Sequence, residues 1–154
     1  MRFKDIAIAM AACAAVLVGC SATPGAPSGG SAATPSDAFA VPCADGSPDP
    51  SVTTGRIAAR VGDTFSIRLC ENGSTGYTWL EPAIDPASVA ALTGRVYEDA
   101  SVPGEMPVTG RAGVAVLSFR VTGPGTATIT LAHAQPWAGG AKDGPQVQVT
   151  VVAS

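Results

Sequence analysis

Alternation of apolar and polar residues, the period of a half-buried strand, runs through the chain from Ser51 to its end. Ile57, Ala59 and Val61 alternate with Arg56, Ala58 and Arg60, and Phe65, Ile67 and Leu69 alternate with Ser66, Arg68 and Cys70. Leu117, Phe119 and Val121 repeat the pattern against Ser118 and Arg120, after which Gly123-Pro124-Gly125 marks a tight turn. Threonines alternate with Ala127, Ile129 and Leu131, and Val147, Val149 and Val151 alternate with Gln146, Gln148 and Thr150. No stretch has a convincing helical period, although Pro86 to Leu92 has room for one or two turns. Six or seven short strands between residues 51 and 154 predict an all-β fold. The architecture expected is an immunoglobulin-like antiparallel β-sandwich of about seven strands.

The first fifty residues follow other patterns. Arg2 and Lys4 precede an uncharged run from Ile6 to Val18, shorter than the roughly 20 residues a membrane-spanning helix needs. That run ends in Leu17-Val18-Gly19-Cys20, which resembles a bacterial lipobox. The resemblance implies a signal peptide over residues 1–19, cleavage before Cys20, and a diacylglycerol on the Cys20 sulfur. Two acyl chains suffice for stable anchoring at ~0.8 kcal/mol per buried methylene. The expected location is therefore extracytoplasmic, lipid-anchored to the cell membrane. Residues 20–50, almost wholly Ser, Ala, Thr, Pro, Gly and Asp, cannot bury enough apolar surface to offset ordering. They read as a flexible tether of roughly 30 Å end-to-end reach, with Cys43 an exception inside it.

Composition narrows the function classes. The 154 residues carry a net charge of -3 with only 14% charged positions, against the clustered Lys and Arg that a nucleic-acid surface requires. His133 is the single histidine, which rules out a multi-His metal site, and no two of the four cysteines have zinc-ligand spacing. No cofactor or metal is expected. Strand parity puts Cys70 beside Ser66 and Arg68 on the polar face, pointing outward, and a solvent-facing thiol in an oxidising compartment usually has a partner. Once Cys13 is removed with the signal peptide and Cys20 is lipidated, Cys43 remains. A Cys43–Cys70 disulfide is expected, contributing about 3.5 kcal/mol by the chain-entropy estimate.

Loops following every second strand of such a sandwich leave at one end. These are Asn72 to Tyr77, roughly Val102 to Gly113, and His133 to Pro145; all are rich in Gly or Pro, and Tyr77, Trp79 and Trp137 lie in or beside them. Large contact side chains gathered on loops over a rigid scaffold suggest a binding surface. Ordinary turn chemistry and core tryptophans would give the same composition.

Glu71-Asn72-Gly73-Ser74-Thr75-Gly76-Tyr77-Thr78-Trp79 resembles the first signature of the chagasin-like inhibitors of papain-type cysteine peptidases, N-P-T-T-G-Y/F followed by a Trp two residues on. Gly62 to Leu69 is similar to the family's G-D-x-F-x-I-x-L strand. Gly110-Arg111-Ala112-Gly113 falls where the family has G-x-G-G, and Gln135-Pro136-Trp137 where it has R-P-W/F. The resemblance covers about residues 52–152. It implies an immunoglobulin-like sandwich whose three loops enter the groove of a papain-like peptidase reversibly and uncleaved. By similarity, Asn72, Gly73, Ser74, Thr75, Gly76 and Tyr77 occupy the catalytic centre, with Ser74 and Thr75 nearest the peptidase cysteine. Gly110, Arg111, Ala112 and Gly113 flank them in the cleft, as do Gln135, Pro136 and Trp137. Gly73 and Gly76 permit positive φ, and Asn72 can bond backbone groups two residues on.

Three departures bear on potency. Gly73 replaces a proline, Ala112 a glycine, which requires negative φ there, and Gln135 an arginine. His133 shares the parity of Ile129 and Leu131 and is expected to pack beside Trp137. Asp143-Gly144 and Glu98-Asp99 read as turn and surface residues. No nucleophile elbow, zinc-protease helix or phosphate loop is present, so an enzyme is not expected. The reading is a monomeric, reversible cysteine-peptidase inhibitor; the alternative is a non-inhibitory cell-envelope binding module on the same scaffold.

Overall fold

A computed structural model describes residues 36–100 and 110–154. The signal segment, Cys20, the first part of the tether and residues 101–109 of the second loop lie outside the described residues. The strands are β1 (Ser36–Val41), β2 (Cys43–Ala44), β3 (Ser47–Pro48), β4 (Thr54–Ala59), β5 (Thr64–Glu71), β6 (Thr78–Trp79), β7 (Ala83–Asp85), β8 (Ala90–Glu98), β9 (Gly113–Val121), β10 (Gly125–Ala134) and β11 (Gln146–Ala153). One sheet has the order β1-β5-β9-β8. The other runs β4-β11-β10, with β6 and β7 both paired to β10, and β2-β3 form a separate hairpin.

The period-two pattern puts one side of each strand into the space between the sheets. Phe65, Ile67, Leu69, Leu117, Phe119 and Val121 from the first sheet pack there with Ile57, Ala127, Ile129, Leu131, Val147, Val149 and Val151 from the second, all buried. Phe65 and Phe119, directly opposed in register, stack with ring centroids 5.3 Å apart. Val61 departs from the expected alternation: β4 ends at Ala59, and Val61 is 48% exposed in the following turn.

The expected sandwich is present with four differences. First, strand β1 (Ser36–Val41) lies inside the segment read as tether. There β1 pairs in parallel with β5 over Ser36↔Phe65 to Val41↔Leu69, Phe39 packs on the core, and Val41 is buried. A Cβ on Gly55 of β4 would lie 2.4 Å from the Phe39 ring, so a side chain there would exclude the ring. Two well-placed apolar side chains thus hold a segment whose average composition reads as disordered. Second, the sandwich is not wholly antiparallel, because β1–β5 and β4–β11 are parallel pairs. Third, Pro86 to Leu92 forms no helix. A turn closed by the Val89 N–H on the Pro86 carbonyl leads into the long edge strand β8, where Ala90 pairs with Val121.

Cys70 is the fourth difference. It forms the expected disulfide with Cys43, Cα–Cα 5.1 Å, yet it is buried at 1% exposure and does not face solvent. N-terminal chain that sequence parity could not supply lies against β5: β1 pairs beside it, and Cys43 is bonded to Cys70. Ser66, also buried, donates a 2.7 Å hydrogen bond to Asp37 of β1.

Candidate functional site

The first loop is a single 3-10 turn, Gly73–Thr75, capped at both ends. Asn72 is the N-cap in extended conformation; its Oδ1 accepts from the Ser74 N–H at 3.2 Å and the Ser74 hydroxyl at 2.7 Å. The Thr75 hydroxyl donates to the Asn72 carbonyl at 2.8 Å, and the Tyr77 N–H returns to Thr75 Oγ1 at 3.3 Å. Gly76 closes the turn in the left-handed region, φ 76°, its N–H donating to the Gly73 carbonyl. Of the two glycines expected at positive φ, only Gly76 is so placed. Gly73 has a helical N1 position with open space where a side chain would stand.

Glu71 knots the stems of this loop together. Its buried Oε2 accepts from the Thr78 hydroxyl and the Trp79 N–H, each at 3.1 Å, and from Arg95 Nη2 at 3.0 Å. Arg95 also donates to the Trp79 carbonyl. Of the two tryptophans beside the loops, Trp79 belongs to the core: it is fully buried, with its indole N–H donating to the Cys70 carbonyl at 2.8 Å. It anchors the loop from below.

The second loop meets the first through Asn72, whose Nδ2 donates to the Gly110 carbonyl at 3.0 Å. Ala112 does not have positive φ, so the alanine there is unstrained. Gly113 begins β9 where a Cβ would lie 2.5 Å from both the Glu98 carbonyl and the Tyr97 hydroxyl, so only glycine fits. Arg111 Nη1 donates to the Ala100 carbonyl at 3.1 Å.

The third loop leans on the first. A Cβ on Gly76 would lie 2.8 Å from Trp137 Cη2, so the glycine leaves room for the indole, which is 50% exposed. Pro136 is exposed beside it. Gln135 closes the loop on itself: its Oε1 accepts from the Ala141 N–H at 2.9 Å, its N–H donates to the Ala141 carbonyl at 2.9 Å, and Lys142 Nζ donates to its carbonyl. All thirteen loop positions singled out in the sequence therefore lie at one end of the sandwich, joined through Asn72 and through the Gly76–Trp137 contact.

His133 does not pack beside Trp137 as expected. Its ring lies 4.9 Å from Trp79 and 5.5 Å from Tyr77, and its buried Nε2 has no hydrogen-bond partner among the described residues. Burial pushes its pKa below the usual histidine value, partly opposed by the Glu71 carboxylate. Asp143 is more than a turn residue: it accepts a 2.6 Å hydrogen bond from the Tyr77 hydroxyl. That bond holds the Asp143 carboxyl below the ordinary range and raises the Tyr77 phenol. Glu71, Arg95 and Asp143 are site-shaping residues that sequence reasoning missed. The only signal was the place of Glu71 inside the first motif.

Known proteins share this fold. The family model for the chagasin family peptidase inhibitor I42 matches residues 58–151. The crystal structure of the cysteine protease inhibitor EhICP2 from Entamoeba histolytica superposes with TM-score 0.51 at 23% identity, covering 69% of this chain and 100% of that one. The solution structure of Amebosin superposes with TM-score 0.51 at 24% identity, covering 76% and 98%. No curated protein matches by sequence. With more than half of its length matched by the family model, and with the first loop, Gly110–Gly113 and Trp137 brought together at one end, the chain belongs to the chagasin family of peptidase inhibitors.

Proposed function

We propose that this protein is a reversible, non-covalent inhibitor of papain-family cysteine peptidases that fills the active-site groove with its three loops. The observation that carries the reading is the first loop: a short, internally bonded turn presenting exposed Ser74 and Thr75, with Gly110 and Trp137 both in contact with it. A peptide segment bonded to itself at this density loses little conformational freedom on binding, so a modest contact area can give high affinity. Its backbone is held in a capped turn, unlike the extended strand a peptidase must engage to cleave.

Titration of residues 32–154 against papain and a cathepsin L-type peptidase tests the reading. Complete, reversible inhibition near one-to-one stoichiometry is expected. Absence of inhibition by the folded, disulfide-bonded domain would overturn it.

We also propose that the protein acts outside the cytoplasmic membrane, as a monomer tethered by lipid on Cys20. The lipobox-like Leu17-Val18-Gly19-Cys20 supports this. Detergent phase partition checks it: the wild type should enter the detergent phase, and Cys20→Ala should not.

A further inference from the structure

The family-model match spans residues 58–151 and so begins after the hairpin β2–β3. The hairpin is nonetheless fixed at the loop end of the sandwich. Cys43 is bonded to Cys70, two residues before Asn72. Asn72 Nδ2, which holds the Gly110 carbonyl, also donates to the Gly46 carbonyl at 3.3 Å. One side-chain amide therefore binds both the second loop and the hairpin tip to the first loop. The tip is the two-residue turn Asp45-Gly46, with φ 51° and 78° and flanking pairs Ala44↔Ser47 and Cys43↔Pro48, a geometry that matches strand twist. Asp45 is exposed there.

Between the hairpin and the loops lies an open cleft of about 270 Å³, lined by Ser47 and Pro48, by Thr75 and Tyr77, and by Asp143 and Gly144. His133, whose Nε2 is unpartnered among the described residues, also lines it. The neighbouring cation, Lys142, is turned to the Gln135 carbonyl. The Tyr77 hydroxyl donates to Asp143 and favours its charged form, so this side of the cleft carries a carboxylate.

We propose that the hairpin Cys43–Pro48 is a fourth contact element for the peptidase, and that the cleft it makes with Thr75, Tyr77 and Asp143 receives a basic side chain from the rim of the active-site groove. The inference rests on the inhibitory reading and adds a partner surface to it. Continuity carries it: Thr75 belongs both to the loop that enters the groove and to the wall of the cleft. A partner seated on that loop meets the hairpin as well. Charge sets the chemistry, because carboxylates at Asp45 and Asp143 stand on two of the elements that form the cleft. The disulfide and the Asn72 bond already order the hairpin, which keeps the entropy cost of contact small.

The test compares wild type, Asp45→Asn and Ser47→Lys in the full chain against papain and a cathepsin L-type peptidase. Asparagine tolerates the left-handed backbone at 45, and Ser47 is exposed, so both variants should fold; melting curves verify this. Against the peptidase that wild type inhibits more tightly, the inhibition constant should rise about three- to tenfold for Asp45→Asn and more than about tenfold for Ser47→Lys. Both effects should shrink in about 0.5 M salt. Hydrogen exchange of amides 44–47 should slow in the complex. Inhibition constants within about twofold of wild type for both variants, or unchanged exchange in the hairpin, would overturn the fourth-element proposal while leaving the three-loop reading intact. Failure of the wild type to inhibit either peptidase would overturn both.

Discussion

Gly73 stands where the family signature has a proline, and the structure allows the proline to be restored. Gly73 is the first residue of the 3-10 turn, a position whose N–H has no partner within the turn; the loop's bonds come instead from the N–H groups of Ser74, Thr75, Gly76 and Tyr77. Nothing lies within 4 Å of a Cβ built there, and its φ is not positive. Asn72, at φ -113° and ψ 94°, is already extended and needs only a modest rise in ψ to precede a proline. Gly73→Pro therefore removes unfolded-state freedom without native strain, stabilising by about 0.4–1 kcal/mol. For a domain of this size that raises the melting midpoint by roughly 2–6 °C. Because Asn72 already orders the turn in the free protein, most of the gain belongs to folding, and the inhibition constant should tighten by no more than about twofold. Calorimetry with a parallel papain titration reads both quantities. A lowered midpoint, or weaker inhibition by a folded variant, would refute the reasoning. It would mean that the Gly73 N–H or its flexibility serves the complex.

Trp137→Ala removes an exposed indole that the fold does not need, so melting should hardly change while the inhibition constant rises about 30- to 800-fold, a loss of ~2–4 kcal/mol. Glu71→Ala strips the acceptor from the Trp79 N–H and from Arg95, and should cost about 2–3 kcal/mol in urea unfolding; Glu71→Gln should recover part of that. His133 titrates lower folded than unfolded, so the unfolded state takes up its proton first as pH falls. Its stabilising contribution is complete above the ordinary histidine value of about 6.5 and declines as pH drops below it toward the folded value. Urea midpoints should fall from pH 7 to 5 in wild type and flatten in His133→Phe; a wild-type midpoint that rises on acidification would refute the sign.

Most of the core was legible, for a definite reason. Wherever Phe65, Ile67, Leu69, Leu117, Phe119, Ile129, Leu131 and the C-terminal valines alternate with polar residues, the two-residue period fixes which side is buried, and the structure buries those residues. The first motif likewise displayed its turn chemistry: Asn72 bonds two residues ahead, and Gly76 adopts the left-handed cap. What parity could not show was whether the other side of a strand is covered. Cys70 and Ser66 have the parity of solvent-facing residues and are buried, because chain distant in sequence lies against them. Composition failed similarly over Ser36–Pro50. An average over small and Pro-rich residues hides that Phe39 and Val41 are spaced to reach the core.

Strand class, inward faces and the capped first loop are written in the sequence, because each depends on residues close in the chain or on a motif in order. The cysteine pair was reached from an outward-facing Cys70 that the structure buries. The remaining features arise only in the folded chain. Glu71 acquires its role from Arg95 on another strand, Asp143 from Tyr77, and Trp79 from the carbonyl it reaches beneath the loop. The hairpin stands beside the first loop because one amide of Asn72 reaches Gly46 and Gly110 together. Those bonds join segments whose separation along the chain carries no local signal, and their partners meet only once the two sheets have closed.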